Sequence, residues 1–169
     1  PPPPTAHAQE GPATVLFDGS GVAGWHQAGP GSFELVDGTL VSHGGMGLFW
    51  HELELGDFEL SLEFRVSDKA NNSGVFVRFP DPGNDPWVAV REGHEIQICD
   101  AQQGNQTGAI FDKKDSTQTN TRPAGEWNAM RIRVVGQQYT VTVNDLVVNE
   151  FTAERALRGR IGIQNHDDG

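Results

Sequence analysis

Phe58-Glu59-Leu60-Ser61-Leu62-Glu63-Phe64-Arg65-Val66 alternates apolar and polar residues without a break. Successive side chains of a strand point to opposite faces, whereas one helix face repeats every three to four residues. This stretch is therefore a strand with Phe58, Leu60, Leu62, Phe64 and Val66 inward and Glu59, Ser61, Glu63 and Arg65 outward. Such a strand needs a second apolar layer to pack against.

The same reading extends in both directions. Thr14 to Phe17 is expected to be a short strand ending at Asp18-Gly19, and Phe33 to Val36 turns at Asp37-Gly38 into Thr39-Leu40-Val41, a hairpin signature. Gly44 to Gly47 reads as a loop before Leu48-Phe49-Trp50. Further strands are predicted over residues 74–79, 93–99, 127–135, 139–144, 147–151 and 160–166, with irregular chain over 80–86 and 104–123. No stretch has a helical period, and residues 153–157 make at most one turn. About ten short strands separated by turn residues give an all-β sandwich or barrel.

The chain has 169 residues, enough for one domain with a substantial core. Its 12 Lys and Arg against 23 Asp and Glu leave a net charge of −11. That balance argues against nucleic acid or an anionic membrane surface as partner, since both need clustered cations. No apolar run approaches the roughly 18 residues of a membrane span. The single Cys99 excludes an internal disulfide and a cysteine zinc site, and reads as a buried thiol. Residues 1–13, beginning with four prolines, read as a linker or a mature N-terminal tail, and residues 14–169 as the domain. Both origins favour export. The terminal Asp167-Asp168-Gly169 reads as a turn, so a truncation or a disordered end is expected in place of a last strand.

In Gly93-His94-Glu95-Ile96-Gln97-Ile98-Cys99-Asp100, Ile96 and Ile98 share one face while Glu95 and Gln97 share the other. Burying a lone carboxylate is costly, so Glu95 is expected to face water, a cation or a substrate. Phasing each strand by its aliphatic residues gives one polar face that collects Glu63, Arg78, Glu95, Gln97, Gln164 and His166, provided that these strands are neighbours. Carboxylates, amides and a guanidinium are what sugar hydroxyls require. Each residue also has an ordinary reading: Glu63 and Arg78 as a cross-strand ion pair, Gln164 and His166 as solvent-facing groups. Trp25, Trp50 and Trp87 are loop and core packing or stacking platforms, and Trp127 is core. His43 and His51 lack metal-ligand spacing.

Several motifs together resemble the 3-keto-disaccharide hydrolase domain family: Leu16-Phe17-Asp18-Gly19 with Gly24-Trp25, Gly56 to Leu60, Asn72 to Phe76, His94 to Ile98, Thr107 to Ala109, Gly125 to Asn128, and Ile161 to His166. The resemblance runs in order from residue 14 to 168, and the family's closing strand is missing. It implies a concanavalin A-like jelly roll of two antiparallel sheets. It also implies secreted or periplasmic proteins acting on carbohydrate, often joined to other domains. Laminarinase-type glucanases of similar fold carry Glu-x-Asp-x-x-Glu or Glu-x-Asp-x-Glu on one strand. Here the run is Glu95-x-Gln97-x-x-Asp100, and plain β-glucanase chemistry, which needs two carboxyls roughly 5 Å apart, is not expected.

A 3-keto sugar lowers the requirement, because the ketone acidifies the C2 hydrogen and allows elimination followed by hydration. A base, a proton donor and an enolate stabiliser suffice. Under this implied chemistry Glu95 and His166 are the catalytic acid and base, in either order. Arg78 and Gln97 polarise the ketone, and Glu63, Gln164, Asn72 and Asp100 complete the substrate-binding set. A divalent cation held by Glu95 and His166 is an alternative to Arg78. The competing reading is a non-catalytic carbohydrate-binding module tethered through the Pro-rich segment to a catalytic partner; fold alone does not decide between them.

Overall fold

The computed structural model describes residues 13–166. The Pro-rich segment and the closing turn, on which the linker and truncation readings fall, lie largely outside the described residues. Strands β1 (Trp25–Ala28), β4 (Gly47–Leu55), β6 (Ser73–Phe79), β7 (His94–Ile98) and β11 (Gly159–Asn165) form one antiparallel sheet in the order β1-β4-β11-β6-β7. Strands β5 (Phe58–Phe64), β8 (Asn128–Val135), β9 (Gln138–Val143) and β10 (Leu146–Thr152) form a second, ordered β10-β9-β8-β5. A hairpin of β2 (Ser32–Val36) and β3 (Thr39–His43) stands beside them. Its turn residues Asp37 and Gly38 both have positive φ, at 48° and 77°, as a two-residue hairpin turn demands.

The two large sheets pack face to face in the expected concanavalin A-like sandwich. Val75, Val77, Ile96, Ile98 and Ile161 from the first meet Met130, Ile132, Val134, Tyr139, Val141 and Val143 from the second. Alternation makes this possible: β8 reads buried, exposed, buried throughout its length. The outer face of the five-stranded sheet has an apolar layer of its own. There Ala28, Leu48, Trp50, Phe76 and Phe79 pack with Ala89 of a short helix, α1 (Trp87–Glu92).

Local expectations hold for most strands and fail at instructive places. Thr14 to Phe17 is not a strand; the carbonyl of Leu16 instead accepts the indole N–H of Trp25 at 2.7 Å. Residues 153–157 form no helical turn, whereas residues 87–92, between Pro86 and Gly93, form α1. Six residues are too few to display a 3.6-residue period. Trp127, expected in the core, is 38% exposed with the Arg65 guanidinium 4.9 Å from its ring centre.

The most consequential departure is Arg78. Strict alternation would place it with Phe76 on the outer face, but the β6–β11 register shifts between Arg160 and Ile161, and Arg78 has φ +57°. This bulge turns the side chain inward. The guanidinium is fully buried, donates to the carbonyls of Gly56 (2.8 Å) and Gly136, and approaches the Asp57 carboxylate at 3.2 Å. It also lies 5.8 Å from the Tyr139 ring centre. Arg78 therefore ties together the loops at one end of the sandwich. Removing a buried charged donor leaves its acceptors unpaired and a void, so Arg78→Met is expected to cost about 2–4 kcal/mol in urea denaturation. Arg65→Met, at the exposed stacked site, should cost less than about 1 kcal/mol in the same measurement.

Candidate functional site

The register of the five-stranded sheet assembles the site. Phe76 lies opposite Glu95, and Gly74 opposite Gln97, while Gln164 pairs with Leu48 on the far side of β11. Because Val75 opposes both Ile96 and Ile163, the next row reads Gln97, Gly74, Gln164 from β7 through β6 to β11. Neighbouring strands are about 4.8 Å apart, so the two glutamines stand roughly 10 Å apart with a glycine between them.

That glycine makes room for Glu95. A Cβ at position 74 would lie 2.3 Å from Glu95 Oε1 and 2.7 Å from its Cγ. The carboxyl therefore leans across the backbone of Gly74, into the space between the glutamines. Glu95 is 6% exposed, and burial raises its pKa from 4.5 to about 8. The side chain stays protonated at neutral pH because no charged partner offsets its desolvation. The backbone of β7 is fixed from its outer edge: Gln97 N–H donates to Ala109 O, and Gly108 and Phe111 donate to the carbonyls of Gln97 and Glu95.

Two buried oxygens on this face have no partner among the described residues, Gln97 Oε1 and Gln164 Oε1. The Gln97 amide N–H is used by Asn72, whose Oδ1 accepts it at 3.0 Å. Gln97 therefore turns its Oε1, an acceptor, to the site. Trp50 shares the face but stands three strands from Glu95, packed between His26 and Arg160, whose ring centre and guanidinium carbon lie 4.8 and 5.5 Å from its ring centre. Its indole N–H is also buried without a partner among the described residues. Trp25 is a packing residue, stacked on Phe49 at 5.0 Å. Trp87, on α1, is 51% exposed.

The structure thus brings together Glu95, Gln97, Gln164 and Asn72 from the expected set. His166 is half-buried one residue beyond β11, two residues on from Gln164. Glu63 is not part of this face. It lies exposed on β5 in the other sheet, opposite Ala129, so the expected pairing with Arg78 across adjacent strands is corrected as well. Arg78 is turned into the sandwich by its bulge. Asp100 lies beyond the end of β7, where it accepts the Thr107 hydroxyl at 2.7 Å, and that hydroxyl accepts the Cys99 N–H. Among the described residues no three His, Cys, Asp or Glu side chains converge. Sequence reasoning missed Gly74 as a site residue. Its signal was an invitingly small residue in the middle of a strand, which marks close approach.

A family model described as the 3-keto-alpha-glucoside-1,2-lyase-like domain matches residues 12–169. A 3-keto-disaccharide hydrolase of Bacteroides thetaiotaomicron is 26% identical, over 81% of this chain and 57% of its own length. The chain thus spans little more than half of that relative. Among solved structures, a Parabacteroides distasonis protein with a provisional glycosyl hydrolase designation superposes with TM-score 0.76 at 17% identity, covering 90% of this chain and 87% of that one. A carbohydrate binding module from Bacillus subtilis gives 0.64 at 12% identity, covering 85% and 88%. These two likenesses are of fold.

The buried carboxyl has a thermodynamic signature. Between pH 4.5 and about 8 the folded chain holds a proton on Glu95 that the unfolded chain has released. Stability from this group therefore falls as pH rises through that window, by roughly 3–5 kcal/mol in all. Glu95→Gln should remove this component, so the stability difference between variant and parent should grow in favour of the variant from pH 4.5 to 8 in urea titrations. Gly74→Ala should fold but displace the carboxyl, and NMR titration should then find the Glu95 pKa moved from about 8 toward its ordinary value.

Proposed function

Since this chain belongs to the 3-keto-alpha-glucoside-1,2-lyase-like domain family, we propose that the Gly74 face binds a 3-keto-glycoside and cleaves its glycosidic bond by acid/base chemistry. The observation that carries this reading is the Glu95 carboxyl, desolvated and neutral over Gly74 between two buried amide oxygens that have no partner among the described residues. Amide oxygens accept from sugar hydroxyls, and a carboxylic acid near the working pH is a competent proton donor.

In the proposed reaction His166 takes the C2 proton, which the C3 ketone has made acidic. The electron pair forms the C1–C2 double bond as the bond from C1 to the leaving oxygen breaks. Glu95 delivers its proton to that oxygen. Water then adds across the double bond, its hydroxide to C1 and a proton to C2. The ionised Glu95 accepts the water's other proton and His166 returns the one it took. The sum is hydrolysis, with ketone and protein restored. Only one buried carboxyl is required, which suits a site where Gln97 and Asp100 occur in place of the glucanase carboxylates.

The single-carboxylate site also suits a module that only binds sugar, and this second reading differs in having no turnover. We place the protein outside the cytoplasm, secreted or periplasmic. The Pro-rich residues 1–13 would be a tether or tail, and residues 14–169 the carbohydrate-active domain; the run of four prolines at residues 1–4 supports this reading.

The test is release of nitrophenol from a nitrophenyl 3-keto-α-glucoside and from its unoxidised parent. Cleavage should occur with the ketone alone and decline above about pH 8 as Glu95 ionises. Glu95→Gln should lower the rate by about 100-fold or more. Binding of both compounds with cleavage of neither would support the module instead.

A further inference from the structure

Asn72 is held on both sides. Its predecessor Asn71 accepts hydrogen bonds from Ser67 Oγ at 2.9 Å and from the Asp68 N–H at 2.8 Å, which closes the turn before β6. Its successor Ser73 donates its hydroxyl to the Gln164 carbonyl at 2.8 Å, fastening the start of β6 to β11. Between these anchors the backbone of Asn72 is set against β11, and its Oδ1 receives the Gln97 amide N–H. With the Asn72 oxygen as the acceptor, Gln97 points its NH2 toward Asn72 and its Oε1 the other way. Gln97 is 1% exposed and its Oε1 is buried with no partner among the described residues. A buried acceptor left unmade is costly, and few persist in folded proteins without a purpose.

We propose that Asn72 is a positioning residue that locks Gln97 as an acceptor, so that the site demands a hydroxyl donor over Gln97 and thereby fixes which way round the oxidised sugar binds. This rests on the 3-keto-glycoside reading above. The carbonyl group of such a sugar cannot donate, so it is repelled from Gln97 and only a ring position carrying a hydroxyl can occupy that point. A flipped amide would donate to the ketone oxygen there and bind the ring in unproductive orientations. Regiochemical selection in the site thus comes from a residue that need not touch the sugar.

The experiment uses nitrophenyl 3-keto-α-glucosides in which each of the remaining hydroxyls, at C2, C4 and C6, is replaced in turn by hydrogen and by fluorine. Fluorine keeps the size and polarity of the hydroxyl but donates nothing. Rates are expressed as kcat/KM relative to the parent substrate, and these ratios are compared between proteins, so intrinsic reactivity cancels. At one position the wild-type protein should lose about tenfold or more with both replacements. In Asn72→Ala the Gln97 amide can rotate, and the fluorine penalty at that position should shrink at least threefold while the parent kcat/KM falls. Asn72→Asp retains an acceptor for the Gln97 N–H and should restore the wild-type discrimination. Fluorine tolerated at all three positions by a wild-type protein that turns over the parent overturns the proposal and leaves the proposed function standing. The same holds for unchanged discrimination in a folded Asn72→Ala. Absence of turnover with the parent itself overturns both.

Discussion

A carboxyl group kept out of water is the constraint on which this site depends. Glu95 has no ion partner to offset its desolvation, so the protein holds it in the neutral form to about pH 8. That state needs the whole local arrangement: Phe76 opposite Glu95 in the register, Gly74 leaving space under the carboxyl, and α1 with its apolar neighbours covering the adjoining part of the sheet. One strand position earlier, His94 faces the opposite way, into the sandwich against Tyr139 and Phe151, and burial with help from Arg155 lowers its pKa to about 4. Two adjacent ionisable residues on β7 are thus both uncharged between about pH 4 and 8, by the same physical cause acting on opposite faces.

The polar face is built by omission as much as by placement. Gly74 omits a side chain and the Gln97 and Gln164 oxygens have no partners among the described residues, while Arg78, which alternation would bring to the face beside Phe76, is turned away by a bulge. An arginine beside Glu95 would favour its ionised form. The bulge at Arg78 therefore serves the site indirectly. It sends the cation to the loop carbonyls of Gly56 and Gly136, where it stabilises the sandwich, and leaves the carboxyl without a counter-ion.

Alternation could be read residue by residue, and it carried most of the fold and the core of the site. Glu95 with Gln97, and Gln164 after Ile163, followed from burying the isoleucines between them. The same rule misplaced Arg78, because a bulge resets the phase and its sole local mark is an arginine in left-handed conformation, which the chain does not announce. It put Glu63 with Glu95 because each strand was phased correctly but assigned to one sheet; β5 pairs with β8, some 65 residues away in sequence, and nothing in either strand's own pattern specifies the partner. The helix α1 escapes a periodicity reading because it is shorter than two turns, and Trp127 lies one residue ahead of β8, outside its alternation.

By itself the sequence determined the all-β class, the strands, the turn at Asp37-Gly38 and the family, since these follow from short-range periodicity, local turn chemistry and ordered motifs. The tertiary structure decided which strands share a sheet, where Arg78 and Glu63 went, and how far Glu95 is desolvated. Those are consequences of pairing and packing between segments distant in the chain: pKa, orphaned acceptors and the space over Gly74 exist only once β6, β7 and β11 lie side by side.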